Sequence, residues 1–145
     1  MGDIESSGHG VLACRGIRGA TTATANTAED MLEATDEMMR ILIALNDINP
    51  DDVASAYFTT TPDLNATFPA VAAREIGWLE VPLICGHEMV VAGSLQKCIR
   101  VLLHVNTYKT ASEIKHVYLK GARQLRAEWA YDDEKANEIL LAARR

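Results

Sequence analysis

Aromatic residues are scarce in this chain of 145 residues, at 6%, and neither an aromatic RNA-binding motif nor a basic face is present. With 14 Lys and Arg against 20 Asp and Glu, a net charge of −6 and a pI near 5.1, nucleic acid is excluded as a partner. Cysteine is limited to Cys14, Cys85 and Cys98, an odd number without CxxC spacing. That pattern excludes a disulfide framework or a zinc knuckle and predicts reduced thiols in a cytoplasmic setting. No run reaches the ~18 to 20 apolar residues of a membrane span, so no membrane partner is expected. Residues 1–10 lack the charged and apolar regions of a secretory signal. They fit the loose Met-Gly-x-x-x-Ser myristoylation pattern, but no polybasic second anchor follows, and a disordered tail is the expectation. Missing too are GxGxxG, a P-loop, HExxH, GxSxG and any cysteine with a clear histidine partner, which removes support for nucleotide, metalloprotease and acyl-enzyme chemistry. Residues 85–88, Cys-Gly-His-Glu, look like part of a zinc deaminase site, yet the PCxxC partner is absent, so neither metal nor cofactor is expected.

What is present is a 48% hydrophobic chain of 15.8 kDa, sized for one domain. At that size an enclosed pocket is easier to build between subunits than within one. Residues 11–22 read as a first strand. Thr27 is an N-cap with Asp30 at N3, and Met31, Met38, Leu42 and Leu45 follow at helical spacing. Residues 53–60 form a second strand running into the turn signal at residues 61–64. Pro69 fits the first position of a short helix ending near Gly77. A third strand is expected at residues 81–85, a loop at 86–93, a fourth strand around Arg100, a helical piece from about Ser112 and a fifth strand at 116–119. Residues 132–145 start acidic and end basic, as a terminal helix would. The order is that of an α/β (α+β) domain: a mixed β-sheet packed with helices, without repeat or linker.

Fixed positive charge stands out against this background. Arg100 interrupts an apolar, β-branched run at residues 98–105, and Arg15, Arg18 and Arg74 occupy similar stretches. A guanidinium cannot shed its proton, so such a position is costly unless an anion meets it. Strand alternation puts Cys98, Leu102 and His104 on the Arg100 face and Ile99, Val101 and Leu103 on the other. The residues alone leave two readings of Arg100: an internal ion pair with an acid such as Glu88, or a group presented to a small dianion. Taken singly, Glu88 also reads as a solvated loop residue, Tyr118 as a core aromatic and Cys85 as a small buried hydrophobe, and none of them alone names an enzyme.

Six segments together resemble the small, trimeric, monofunctional chorismate mutases of the α/β-barrel type. They are residues 15–22 (RGIRGATT), 61–70 (TPDLNATFPA) with 73–75 (ARE), 81–85 (VPLIC), 88–89 (EM), 97–101 (KCIRV) and 116–119 (HVYL), in family order and with similar spacing. The resemblance covers most of residues 11–126. It implies a pseudo-α/β barrel assembled as a homotrimer with its sites between subunits. A disordered tail at 1–10 would precede this domain, and a partly helical tail at 127–145 would follow it.

The activity implied is the concerted Claisen rearrangement of chorismate to prephenate in aromatic amino acid biosynthesis, which needs no nucleophile, metal or cofactor. By this resemblance Arg18 holds a substrate carboxylate, Arg100 stands beside the ether oxygen and Glu88 accepts a hydrogen bond from the substrate hydroxyl. Cys85 and Tyr118 are neighbouring polar contacts, Phe68 and Arg74 come from the adjacent subunit, and Leu125 and Arg126 cover the pocket. The chain departs from its relatives after Arg126, where Ala127, Glu128 and Trp129 replace the frequent proline and aspartate, and at Val71, where some relatives carry lysine. Two alternatives stay open at this point: a trimeric imine deaminase-like enzyme and a non-catalytic carboxylate-binding module.

Overall fold

Thr27 turns the chain into its longest helix, its hydroxyl accepting from the Asp30 amide at 3.1 Å. This helix, α1 (Ala28–Asn46), buries Met31, Met38 and Leu42, as the helical spacing predicts, together with Met39 and Ile41, while the fourth expected position, Leu45, is half-buried against the core. It ends at Asp47, in the left-handed region with φ 52°. Buried Asn46 ties that end to the far edge of the sheet: its amide donates to the Lys115 carbonyl at 2.9 Å and its carbonyl oxygen accepts from the Lys115 amide at 2.8 Å.

The structure, a computed structural model, describes residues 10–143. Five strands, β1 (Ala13–Thr22), β2 (Val53–Thr60), β3 (Leu83–His87), β4 (Cys98–Thr107) and β5 (Val117–Tyr118), form one mixed sheet in the order β3-β2-β4-β1-β5. β4 lies at its centre, antiparallel to β1 and β2, while β3 and β5 pair in parallel at the edges. Helix α2 (Ala70–Ile76) and the terminal helix α3 (Asp133–Ala143) flank α1. The expected tail at residues 1–10 lies, but for Gly10, outside the described residues.

One face of the sheet is covered along its length, whereas the other is covered only around Ala20, Cys98 and Tyr118 and is open over β2 and β3. Ile99, Val101, Leu103 and Val105 of β4 enter the main core under α1, whereas Arg100, Leu102 and His104 point away from it and are only partly buried. Gly19 of β1 permits the close approach of α1: a Cβ there would stand 2.7 Å from Leu42 Cδ1 and 3.2 Å from Met38 Sδ. On the open face Tyr57 and Ile84 remain 41% and 64% exposed, large side chains without a covering layer.

Strand boundaries differ from the sequence expectation at β1, which starts at Ala13 rather than at residue 11, and at β3 and β5. β3 runs Leu83–His87 rather than over residues 81–85, because Pro82 has no N–H to donate and only its carbonyl joins the sheet, accepting from the Ala56 amide at 3.0 Å. The strand then continues through Gly86 and His87, read from sequence as loop. Gly86 is required there, since a Cβ would meet the Tyr57 hydroxyl oxygen at 2.6 Å. β5 is only Val117–Tyr118, because His116 uses its ring instead of its backbone: Nδ1 accepts the Arg18 amide at 3.0 Å.

Candidate active site

Strand register assembles the first two site residues, Arg100 and Arg18. Arg100 lies between Ala20 of β1 and Thr59 of β2, and Arg18 is opposite Leu102. Ala20 is small, so the guanidinium beside it has room to cross the sheet surface. Arg18, Tyr57, Thr59, Glu88, Arg100 and Leu102, with His87 and Met89, line a cavity of about 370 Å³, within the about 300 to 1,000 Å³ usual for small-molecule sites.

Glu88 follows β3 directly. Its amide donates to the Thr60 carbonyl at 2.8 Å, and its carboxylate accepts from the Thr59 hydroxyl. The same oxygen, Oε2, is 3.7 Å from Arg100 Nε, a separation that permits charge pairing without a hydrogen bond. Arg100 Nε is buried and makes no hydrogen bond among the described residues. The internal ion pair considered from sequence therefore exists as a loose one. It leaves Nε without an acceptor, and a buried donor without an acceptor is uncommon enough to mark a site.

Tyr118 is fully buried beside this cavity in a second small core with Ala20, Cys98 and Ala122, against which Leu125 and Trp129 pack. Its hydroxyl, too, has no hydrogen-bond partner among the described residues. Burial pushes the phenol pKa up, against the pull of the Arg18, Arg100 and Arg126 guanidinium groups. It thus stays a neutral O–H donor among three cations. The Arg18 Cζ lies 5.8 Å from the ring centroids of both Tyr118 and Trp129. His116 packs on Trp129 at 4.1 Å between centroids. Burial, then Arg18 and Arg126, hold its pKa below the ordinary histidine range, so at neutral pH it is the uncharged acceptor that the Arg18 amide needs.

The remaining expected residues fall elsewhere. Cys85 pairs with Phe58 in the sheet and lines a second cavity of about 370 Å³ with Phe68, whose side chain is mostly exposed; His87 borders both cavities. Burial raises the Cys85 pKa, which keeps it a thiol. The Phe68 loop is pinned by Asn26, whose side-chain oxygen accepts from the Asn65 and Ala66 amides at 3.0 and 3.1 Å, and by Asp63, which accepts from the Lys97 amide at 2.8 Å. Arg74 is exposed on α2 and lines neither cavity. Arg126 sits in the C-terminal segment, paired with Glu128 at 2.7 Å. Tyr57, Thr59, His116 and Trp129 were missed from sequence. For Tyr57 and Thr59 the signal was available, because they alternate with Phe58 on a strand that pairs with β4.

The arrangement can grip a small anion with guanidinium groups, accept one hydrogen bond at Glu88 and donate one from Tyr118. Comparison with known proteins identifies the family. The family described as chorismate mutase type I matches residues 14–129. Over 115 residues the chain is 45% identical to chorismate mutase AroH of Bacillus subtilis (strain 168), covering 79% of this chain and 91% of that one. The AroH of Thermus thermophilus is 43% identical over 115 residues, 79% of this chain and 94% of that one. A solved chorismate mutase from Clostridium thermocellum superposes with a TM-score of 0.75 at 48% identity, covering 76% of this chain and 98% of that one. The chain belongs to the type I chorismate mutases.

Proposed function

We propose that this chain converts chorismate to prephenate by electrostatic preorganisation, with Arg100 as the residue acting on the transition state. The observation that carries the reading is the Arg100 guanidinium, whose buried Nε has no hydrogen-bond partner among the described residues and which shares a cavity wall with Glu88 and Arg18. The rearrangement breaks a carbon–oxygen bond and makes a carbon–carbon bond in one step. Two tasks are left to the protein. It holds a flexible dianion in its folded reactive shape, and it stabilises the negative charge growing on the ether oxygen.

Arg18 and Arg126 take the carboxylates, because the planar guanidinium fork matches them. Glu88 accepts the substrate hydroxyl, with its carboxylate oriented by Thr59. Arg100 contributes most where charge develops, and only a contact that strengthens in the transition state raises the chemical rate. Leu125 and Arg126 close the pocket, and Tyr118 supplies its unpartnered O–H.

The working unit in this reading is a homotrimer. Three features support it: the uncovered sheet face with Tyr57 and Ile84, the exposed Phe68, and the separation within one chain of the Cys85 and Phe68 cavity from the Arg100 cavity. Phe68, Arg74 and the cavity beside them then complete the site of a neighbour. Residues 11–126 carry the catalytic unit, and the tail that follows from residue 127 is helical over Asp133–Ala143. Three free cysteines support a reducing, cytoplasmic setting, and among the described residues no helix is long and apolar enough to cross a membrane. The imine deaminase alternative draws no support from these relatives, which are chorismate mutases by name. The test is direct: purified protein should abolish the diene absorbance of chorismate while prephenate accumulates. Unchanged chorismate would leave only the carboxylate-binding module.

A further inference from the structure

One indole in the C-terminal segment touches both arginines assigned above to substrate carboxylates. The Arg126 Cζ stands 3.7 Å from the centroid of the Trp129 ring and the Arg18 Cζ 5.8 Å from it. Both lie within the about 6 Å over which a ring face attracts a cation. The two guanidinium groups thus share one ring, and without it the Arg126 side chain, at the surface of the C-terminal segment, would be free to turn into water. Glu128 holds the same guanidinium from another side, its Oε2 accepting from Arg126 Nε and Nη2 at 2.9 and 2.7 Å.

Trp129 is itself held from several directions. His116 packs on one side, and the Tyr118 ring meets it edge-on at 5.5 Å. The Trp129 amide donates to the Arg126 carbonyl at 3.0 Å, closing a tight turn that brings the indole back over the guanidinium. The next residues fasten this turn to the sheet: Ala130 bridges to Tyr118, and the Tyr131 amide donates to the Tyr118 carbonyl at 3.0 Å. Beyond them α3 docks through buried Ala136, with Tyr131, Ile139 and Leu140 against the main core, while Lys120 meets Asp133 at 3.0 Å. This anchor lies past residue 129, where the family match ends.

We propose that Trp129 is a positioning residue whose indole fixes Arg126 beside Arg18, so that the two cations meet the substrate as a preassembled pair, and that residues 130–143 lock the indole in place. The inference rests on the carboxylate role given to Arg126. A ring that only filled space would be replaceable by leucine; one that holds a cation requires a π face.

The test uses the full chain and four variants, Trp129→Leu, Trp129→Phe, Arg126→Ala and the Arg126→Ala/Trp129→Leu double, in steady-state kinetics with chorismate and in thermal unfolding. Trp129→Leu should raise KM roughly fivefold to tenfold while kcat stays within about threefold, and Trp129→Phe should restore KM to within about twofold of the parent. The double variant should be no worse than Arg126→Ala alone, since the indole acts through that arginine. Multiplied effects in the double variant, or an unchanged KM in Trp129→Leu, would overturn the proposal. If Arg126→Ala itself leaves KM unaltered, the carboxylate role fails and the inference with it, a pattern distinct from failure at Trp129 alone. Should Trp129→Leu not fold, tryptophan emission decides: adding prephenate should change it in the parent and much less in Trp129→Phe, which keeps Trp78, and equal changes in both would overturn the proposal.

Discussion

At the scale of single residues, charge placement governs what the site can do. The 3.7 Å gap between Arg100 Nε and Glu88 Oε2 shows a guanidinium restrained by a neighbouring charge yet not consumed by it. Lysine at position 100 would keep the charge but lose the planar fork and move the cation along a flexible stem. Arg100→Lys is expected to lower kcat by about a hundredfold to a thousandfold with a smaller change in KM, read from the loss of chorismate absorbance. Near-parental turnover would remove Arg100 from the mechanism. His116 makes a second residue-level prediction. Because its folded pKa is depressed, the unfolded chain takes up the proton first, so its contribution to stability is intact above about pH 6.5 and is lost as pH falls through the folded value. Melting temperature should therefore decline between pH 7 and 5.5. His116→Asn, whose amide oxygen can accept the Arg18 amide without titrating, should flatten that decline. Glu37, whose carboxyl pKa burial raises, works in the opposite direction and does not account for the loss.

Elements were legible where one local signal settled them. Thr27 and Asp30 marked the start of α1, and helical spacing marked its buried stripe, because capping and amphipathicity are properties of neighbouring residues. Strand alternation placed Arg100, Leu102 and His104 together on one face of β4 for the same reason. β3 was displaced by two residues because Pro82 is apolar by composition but cannot donate to a ladder. Trp129 was invisible as a site residue, since its partners Arg18, His116 and Tyr118 are brought to it only by the folded sheet and the turn after Arg126. The close seat of α1 on β1 gives the prediction at this scale. Gly19→Ala would drive a methyl group into Leu42 and Met38 and should destabilise the fold by about 1 to 3 kcal/mol, measured by urea unfolding. An unchanged midpoint would mean that α1 shifts freely over the strand.

For the whole molecule, the resemblance of six scattered segments carried the family, while composition alone reached only an acidic, single-domain α/β protein. Subunit arrangement is where a single chain says least, because the faces that meet a neighbour look like ordinary exposed surface. In solution the protein is expected at three times the 15.8 kDa chain mass. Ile84→Asp, on the open face, should yield monomers in sedimentation and lose activity in parallel, although Ile84 lines neither cavity. Active monomers would refute the shared site.

The one-sided covering of the sheet also shapes how this protein can change over time. Odd-numbered positions of β4, from Ile99 to Val105, answer to the packing beneath α1, and even-numbered ones, Arg100 to His104, face away from it, toward the proposed ligand and subunit contacts. A single strand thus carries two interleaved messages under separate selection. An insertion of one residue would swap them, costing the enzyme its interior and its chemistry at a stroke.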